Sequence, residues 1–193
     1  MMTIAVVSQK GGAGKTTLTA HLAVEAHNSG AGPVCITDTD PQGSLAGWWN
    51  RRQADDIGYG SILQHAQLRK HGYALCFVDT PGTIDGNIQA VIALASFVLV
   101  PVAPSSLDLA SVDATADIIA QAGKRFLFVI SRADMRSSLP AEMRTALAER
   151  YPVAPVMITH QPSRYVRPMN EGHTGASEQI TELWKCVNAE LRK

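Results

Sequence analysis

Apolar residues in this chain fall into short unbroken runs, separated by longer segments in which they recur every three or four positions. The runs cover Thr3–Ser8, Val34–Asp38, Ala74–Asp79, Phe97–Val102, Arg125–Ser131 and Val153–Thr159. Several are apolar on successive residues, as in Ala-Leu-Cys-Phe-Val and Phe-Val-Leu-Val. That pattern belongs to strands buried on both faces, and so to a parallel sheet covered by helices. Helical spacing falls over Lys15–Ser29, Ser44–Ala54, Ile62–Lys70, Leu107–Ala122, Pro140–Arg150 and Ser177–Arg192, with Ser105 or Ser106 placed to cap the fourth. The alternation predicts an α/β fold, a doubly wound and mostly parallel sheet with helices on both faces. No repeat, low-complexity tract or long linker interrupts it, so residues 1–193 read as one domain. In such sheets ligands bind beyond the carboxyl ends of the strands.

Charge changes the picture little: 17 basic and 17 acidic side chains cancel, so any nucleic-acid surface must be local or assembled from two subunits. Cys35, Cys76 and Cys186 are odd in number and scattered, which suggests neither a disulfide framework nor a zinc cluster and predicts a reducing cytoplasm. The first residues read as a strand rather than a signal peptide. The longest apolar stretch, Val91 to Val102, is too short to span a membrane and contains Ser96 and Pro101.

Three segments carry chemistry, each at a predicted strand end. The first is Gln9-Lys10-Gly11-Gly12-Ala13-Gly14-Lys15-Thr16-Thr17, between a strand and a helix. That is the setting of a P-loop, in which glycine-rich backbone wraps phosphate oxygens and the helix start adds its positive dipole end. Lys15 is placed to reach the β- and γ-phosphates, and the Thr16 hydroxyl to ligate Mg²⁺. The second segment, Thr37-Asp38-Thr39-Asp40-Pro41-Gln42-Gly43-Ser44, holds two carboxylates at alternate positions. It reads either as a loop handling Mg²⁺ and water or as an Asp-rich turn, with Ser44 as cap of the next helix. The third, Phe77-Val78-Asp79-Thr80-Pro81-Gly82, ends an apolar strand in Asp, a Walker B element whose carboxylate holds Mg²⁺ through a water.

The loop lacks the usual first glycine, where Gln9 stands, and carries an additional Lys10. In this it resembles the deviant Walker A motif of the ParA/MinD family of P-loop ATPases. The resemblance implies that Lys10 reaches across a dimer interface to the partner's ATP, by the logic of an arginine finger. It also implies that Asp40, in a D-x-D-P-Q segment like the family's switch I, positions the attacking water. Asp38 would then lie near the metal's water shell, and D-T-P-G at Asp79 is similar to switch II. Pro101 and Pro104, and Ser131-Arg132, resemble the two loops that form the adenine side in that family, although Ser131 stands where many members have Asn. A proline-rich turn without ligand is the other reading of Pro101 and Pro104.

Trp48 and Trp49 read as core packing or, alternatively, as a dimer contact; the six histidines read as structural or surface residues. The polar stretch from His160 to Gly172 supplies Arg164 and Arg167 as candidate DNA phosphate contacts, with Lys185, Arg192 and Lys193 further on. A solvated loop is the alternative. The last predicted helix lacks the lysine-rich apolar tail of a membrane-targeting relative. The resemblance, closest to the small ParF-type plasmid partition proteins, implies an ATP-bound homodimer on nonspecific DNA, associated with the nucleoid. A small centromere-binding (ParB/ParG-like) protein would stimulate Mg²⁺-assisted hydrolysis. Rival readings are a MinD-like membrane-associated ATPase, a nucleoid-based positioning ATPase for another cargo, a metabolic P-loop enzyme like dethiobiotin synthetase, and a scaffold that scarcely hydrolyses.

Overall fold

The computed structural model describes residues 1–52, 54–83, 86–104, 109–174 and 177–193. Its centre is a sheet of six parallel strands: β1 (Met2–Val6), β2 (Val34–Asp38), β3 (Ile57–Tyr59), β4 (Leu75–Asp79), β5 (Phe97–Val102) and β6 (Phe126–Ile130). Their order across the sheet is β3-β2-β4-β1-β5-β6. Helices α1 (Lys15–Asn28), α2 (Ser44–Arg51), α3 (His65–Lys70), α4 (Gly86–Leu94), α5 (Leu109–Gln121), α6 (Leu139–Ala148), α7 (Pro162–Asn170) and α8 (Glu178–Leu191) complete the crossovers and cover both faces.

Alternation along each strand divides the core in two. Ile4, Val6, Ile36, Phe77 and Leu99 face a cluster completed by α1, α2, α7 and α8, including Leu18, Trp48, Tyr165 and Trp184. Ala5, Val7, Cys35, Val78 and Val98 face the other, with Ile88, Val112 and Met143 from α4, α5 and α6. The inner strands are therefore apolar on successive residues because side chains on both faces meet helices. Trp48 is fully buried, which settles it as core, and its indole N–H donates to the His173 carbonyl at 3.1 Å.

Several expected boundaries move. Val153–Thr159 is not a strand: it runs along the outer side of β6 through isolated bridges at Val153 and Thr159, and Pro155, which lacks an N–H, interrupts the ladder. Ile62–Lys70 divides into a 3-10 turn (Ile62–Gln64) and α3. Helix α2 stops at Arg51, three residues short of Ala54. The fourth predicted helix is observed from Leu109; Leu107, Ser105 and Ser106 lie outside the described residues. Three elements were not anticipated. The edge strand β3 has only three residues. Helix α4 merges in sequence with β5 into the one apolar run from Val91, and the break falls at Ser96, whose hydroxyl accepts the Thr3 N–H at 3.1 Å. Helix α7 lies in the polar stretch from His160 to Gly172, for which the alternative reading is a solvated loop. Pro162 occupies the first turn, where an N–H is spare, while Tyr165 and Met169, four apart, bury one face.

Candidate functional site

The carboxyl ends of β1, β2, β4 and β6 open on one cleft of about 640 Å³. Its floor is the loop between β1 and α1, where Gly12 (φ 76°) and Gly14 (φ 85°) adopt left-handed conformations that a side chain would strain. Gly11, Gly12, Gly14, Lys15, Thr16 and Thr17 all line the cleft, while Ala13 is buried beneath it. The Lys15 ammonium donates to the Lys10 carbonyl at 3.3 Å. Burial lowers its pKa, and the charges of Asp79 and Asp40 oppose that shift. A lysine this poorly hydrated gains from an incoming phosphate.

Beside it, the Thr16 hydroxyl donates to Asp79 Oδ2 at 2.6 Å. Asp79 Oδ1 is buried with no hydrogen-bond partner. Burial raises the Asp79 pKa to about 7; the Thr16 bond and Lys15 oppose this, and the nearby charges of Asp38 and Asp40 add to it. An orphaned buried carboxylate oxygen of this kind costs about 1–3 kcal/mol, a cost that a cation removes. No cluster of three or more His, Cys, Asp or Glu surrounds it among the described residues. A cation held here would need its remaining ligands from a bound phosphate and water, which suits Mg²⁺. Thr16 and Asp79 thus fit a nucleotide-bound Mg²⁺.

The loop after β2 forms the adjacent wall. Both Asp38 oxygens serve that loop: Oδ1 accepts the Asp40 N–H at 3.0 Å and Oδ2 the Ala46 N–H at 2.9 Å, in the first turn of α2. Ser44, expected to cap α2, is instead its first residue; Gly43 holds the cap position and Asp38 supplies the capping carboxylate. Asp40 lines the cleft with Gln42, and one of its oxygens accepts the Gln42 N–H at 2.9 Å. From β4, Gly82 closes on the phosphate loop so tightly that a Cβ there would lie 3.1 Å from Gly11 N. Gly82 and Thr83 complete this end of the cleft.

The opposite end is built from Ser131, Arg132, Ile158 to Pro162, Tyr165 and Val166. Ser131 is buried, and its hydroxyl donates to the Ala13 carbonyl at 2.8 Å. Arg132 adopts a left-handed conformation (φ 53°) and donates to the Gly12 carbonyl at 2.8 Å. Pro101 and Pro104 do not line this cleft. Pro101 belongs to β5 and faces a separate small cavity with Ser8, Gln9, Lys10 and Ala13. The segment Ile158–Pro162, which sequence reasoning missed, lines this end of the cleft instead. Its signal was an apolar run ending in Thr159-His160-Gln161-Pro162 next to β6.

Lys10 lines that separate cavity rather than the cleft of its own chain. Arg164 and Arg167, three apart, share the exposed face of α7, and Arg167 pairs with Glu171 at 3.7 Å. Lys185 and Arg192 are exposed on and just after α8, a different helix. No helix among the described residues is long and apolar enough to cross a membrane.

Comparison with known proteins agrees with this geometry. Residues 4–161 match the family described as the CobQ/CobB/MinD/ParA nucleotide binding domain. Maintenance of carboxysome distribution protein A of Halothiobacillus neapolitanus is 32% identical over 171 residues, covering 81% of this chain and 77% of that protein. Protein ParA of Rhizobium radiobacter is 32% identical over 115 residues, covering 56% of this chain and 51% of that protein. Among solved structures, a plasmid partition protein of Borrelia burgdorferi bound to AMPPNP gives a TM-score of 0.78 at 14% identity, covering 99% of this chain and 98% of that one. An ATP complex of Cyanothece McdA gives 0.76 at 18% identity, covering 100% and 96%. At these identities the two structures are likenesses of fold.

Proposed function

The chain belongs to the CobQ/CobB/MinD/ParA nucleotide-binding family as a ParA/MinD-type ATPase, and from that premise we propose that it is a two-subunit positioning switch. In this reading residues 1–193 act as one ATPase domain. ATP brings two copies together, the dimer holds nonspecific DNA on the nucleoid, and hydrolysis prompted by a cargo-bound partner releases it. The observation that carries the reading is the separation of the two loop lysines. Lys15 lines the cleft of its own chain, whereas Lys10, at the front of the same loop, lies outside it. A cation held there serves a phosphate brought by a second copy more readily than its own.

Thr16 and Asp79 would hold a nucleotide-bound Mg²⁺, whose charge would offset that of the phosphates. The loop N–H groups and Lys15 fix the phosphates. Asp40, on the wall facing them, orients the attacking water. Arg164 and Arg167 on α7, with Lys185 and Arg192 as a second group, make salt-sensitive phosphate contacts to DNA. Two modest patches joined by dimerisation suit a chain of zero net charge.

Two cargoes fit this cycle. One is a plasmid, bound through a ParB/ParG-like centromere protein. The other is a protein body such as a carboxysome. The second is favoured by extent of likeness: the carboxysome distribution proteins match over 77% and 71% of their length, the ParA protein over 51%. The test is ATP-dependent association followed by light scattering for wild type, Lys10→Ala and Asp40→Ala. Wild type dimerises with ATP, and Asp40→Ala stays dimeric. Normal stimulated hydrolysis by Lys10→Ala would defeat the two-subunit reading.

A further inference from the structure

The segment from Thr159 to Val166, which closes the end of the cleft away from Asp40 and Gly82, is tied to the chain after β6 only at its start, by the Ala133–Thr159 bridge and the His160 N–H to the Ala133 carbonyl at 2.9 Å. Beyond that pairing, one side chain that does not line the cleft joins its two ends. Gln179, in the first turn of α8, accepts three hydrogen bonds at Oε1: from Thr159 N–H at 3.0 Å, the Thr159 hydroxyl at 3.1 Å and the Tyr165 hydroxyl at 2.7 Å. Thr159 and Tyr165 both line the cleft and are both buried. Tyr165 is fixed on its other sides as well. Its hydroxyl also hydrogen-bonds Ser177 at 2.8 Å, its carbonyl accepts from His21 Nε2 at 3.1 Å, and its ring stands edge-on to the His21 imidazole.

We propose that Gln179 is the positioning residue of the base end of the cleft: by gathering Thr159 and Tyr165 on one oxygen it sets how tightly the nucleoside part of ATP is held. The inference rests on the reading of the cleft as an ATP site. Sheet order supports the division of labour. The loop after β1 at the centre of the sheet holds phosphate, the loops after β2 and β4 lie to one side, and Ser131, Arg132 and the Thr159 segment lie beyond β6 on the other. The nucleoside must extend toward the second side, because the first is filled by the metal and water-handling loops.

The chemistry of the post makes a sharp forecast. All three partners are donors, and the backbone N–H of Thr159 can be nothing else, so the post requires an acceptor oxygen and not an amide. Gln179→Glu keeps that oxygen and adds a charge at a helix N-terminus, where charge of that sign is favoured. Gln179→Leu removes it and strands the buried Thr159 N–H and hydroxyl, while the Tyr165 hydroxyl keeps only Ser177.

The experiment is calorimetric binding of Mg·ATP, and separately of inorganic tripolyphosphate with Mg²⁺, to wild type, Gln179→Leu, Gln179→Glu and Tyr165→Phe. Gln179→Leu is expected to weaken ATP about tenfold while leaving tripolyphosphate within about twofold. Gln179→Glu should match wild type for both, and Tyr165→Phe should weaken ATP by a smaller factor. Hydrolysis by Gln179→Leu should show the loss in KM, with kcat retained. Equal weakening of ATP and tripolyphosphate would make Gln179 a general structural residue, and unchanged ATP binding by Gln179→Leu would dismiss the post; either overturns the inference. Failure of wild type to bind either compound would instead remove the ATP-site reading beneath it.

Discussion

The phosphate end of the cleft is made from neighbours in sequence, Gly11 to Thr17, supported by single residues at the tips of two central strands. The base end is made from pieces that meet only in space: Ser131 and Arg132 after β6, Ile158–Pro162, Tyr165 on α7 and Gln179 on α8. Backbone geometry dominates the first, through left-handed Gly12 and Gly14 and the close approach of Gly82. Side-chain hydrogen bonds dominate the second. Phosphate presents the same charges and oxygens wherever it occurs, so a fixed loop suffices to bind it. A nucleoside offers different edges and needs a wall whose position can be adjusted residue by residue.

The largest effect that tests this division is at Lys15. Lys15→Ala is expected to lower kcat for ATP hydrolysis by about 10²–10³-fold, the usual loss when a cation facing developing phosphate charge is removed. Phosphate release under saturating Mg·ATP measures it. Because Lys15 acts on phosphate alone, tripolyphosphate binding should fall together with ATP binding. If ATP binding fell and tripolyphosphate binding did not, the two ends of the cleft would not be separable.

Asp79→Asn comes next and has two consequences of opposite sign. Losing the carboxylate facing the metal should lower hydrolysis by about 10²-fold. It should also stabilise the nucleotide-free protein. The folded Asp79 pKa is raised from 3.8 to about 7, so the folded state holds the proton more tightly than the unfolded chain does. That contribution is fully present below 3.8 and is lost as pH rises to about 7, at no more than about 1.4 kcal/mol per pH unit. Above that pH the buried charge is a standing cost. Asn does not titrate, so thermal unfolding at pH 8 should show Asp79→Asn melting higher than wild type by at least about 3 °C. The gap should narrow toward pH 5 and vanish only below about 3.8. An equal gap at both values would mean that Asp79 is not the titrating group.

How much of this was legible in the sequence follows the same division. The phosphate loop, Asp79 and the parallel sheet could be read because each is a local pattern: glycine spacing, an apolar run ending in Asp, runs apolar on successive residues. Asp38 was visible as a residue, but its capping of α2 was not, since that depends on Ala46 lying over it, eight positions on. The sequence placed the base end at Pro101 and Pro104, which do not line the cleft, because nothing local distinguishes one strand-end loop from the next. Only the packing of the 158–162 segment against β6 decides which loop borders the cleft. Helix α7 was missed for a related reason. Its composition is polar and it carries two prolines, so only the burial of Tyr165 and Met169, four apart, marks the helix: tertiary burial overrode propensity.

The smallest effect concerns the residue that joins the two ends. Ser131 occupies a position where resemblance implies contact with the base, yet its hydroxyl donates to the Ala13 carbonyl inside the phosphate loop. Ser131→Ala removes one neutral hydrogen bond and leaves a carbonyl unpaired, which is tolerated better than a stranded N–H, so about 1 kcal/mol is at stake. That predicts ATP affinity about fivefold weaker. Tripolyphosphate affinity should fall by the same factor, because the bond braces the loop rather than the wall. This is the reverse of the pattern expected for Gln179→Leu, although both residues belong to the base end. Were Ser131→Ala to weaken ATP and spare tripolyphosphate, Ser131 would be acting on the nucleoside. The border between the two ends would then run between Ala13 and Ser131 instead of beyond it.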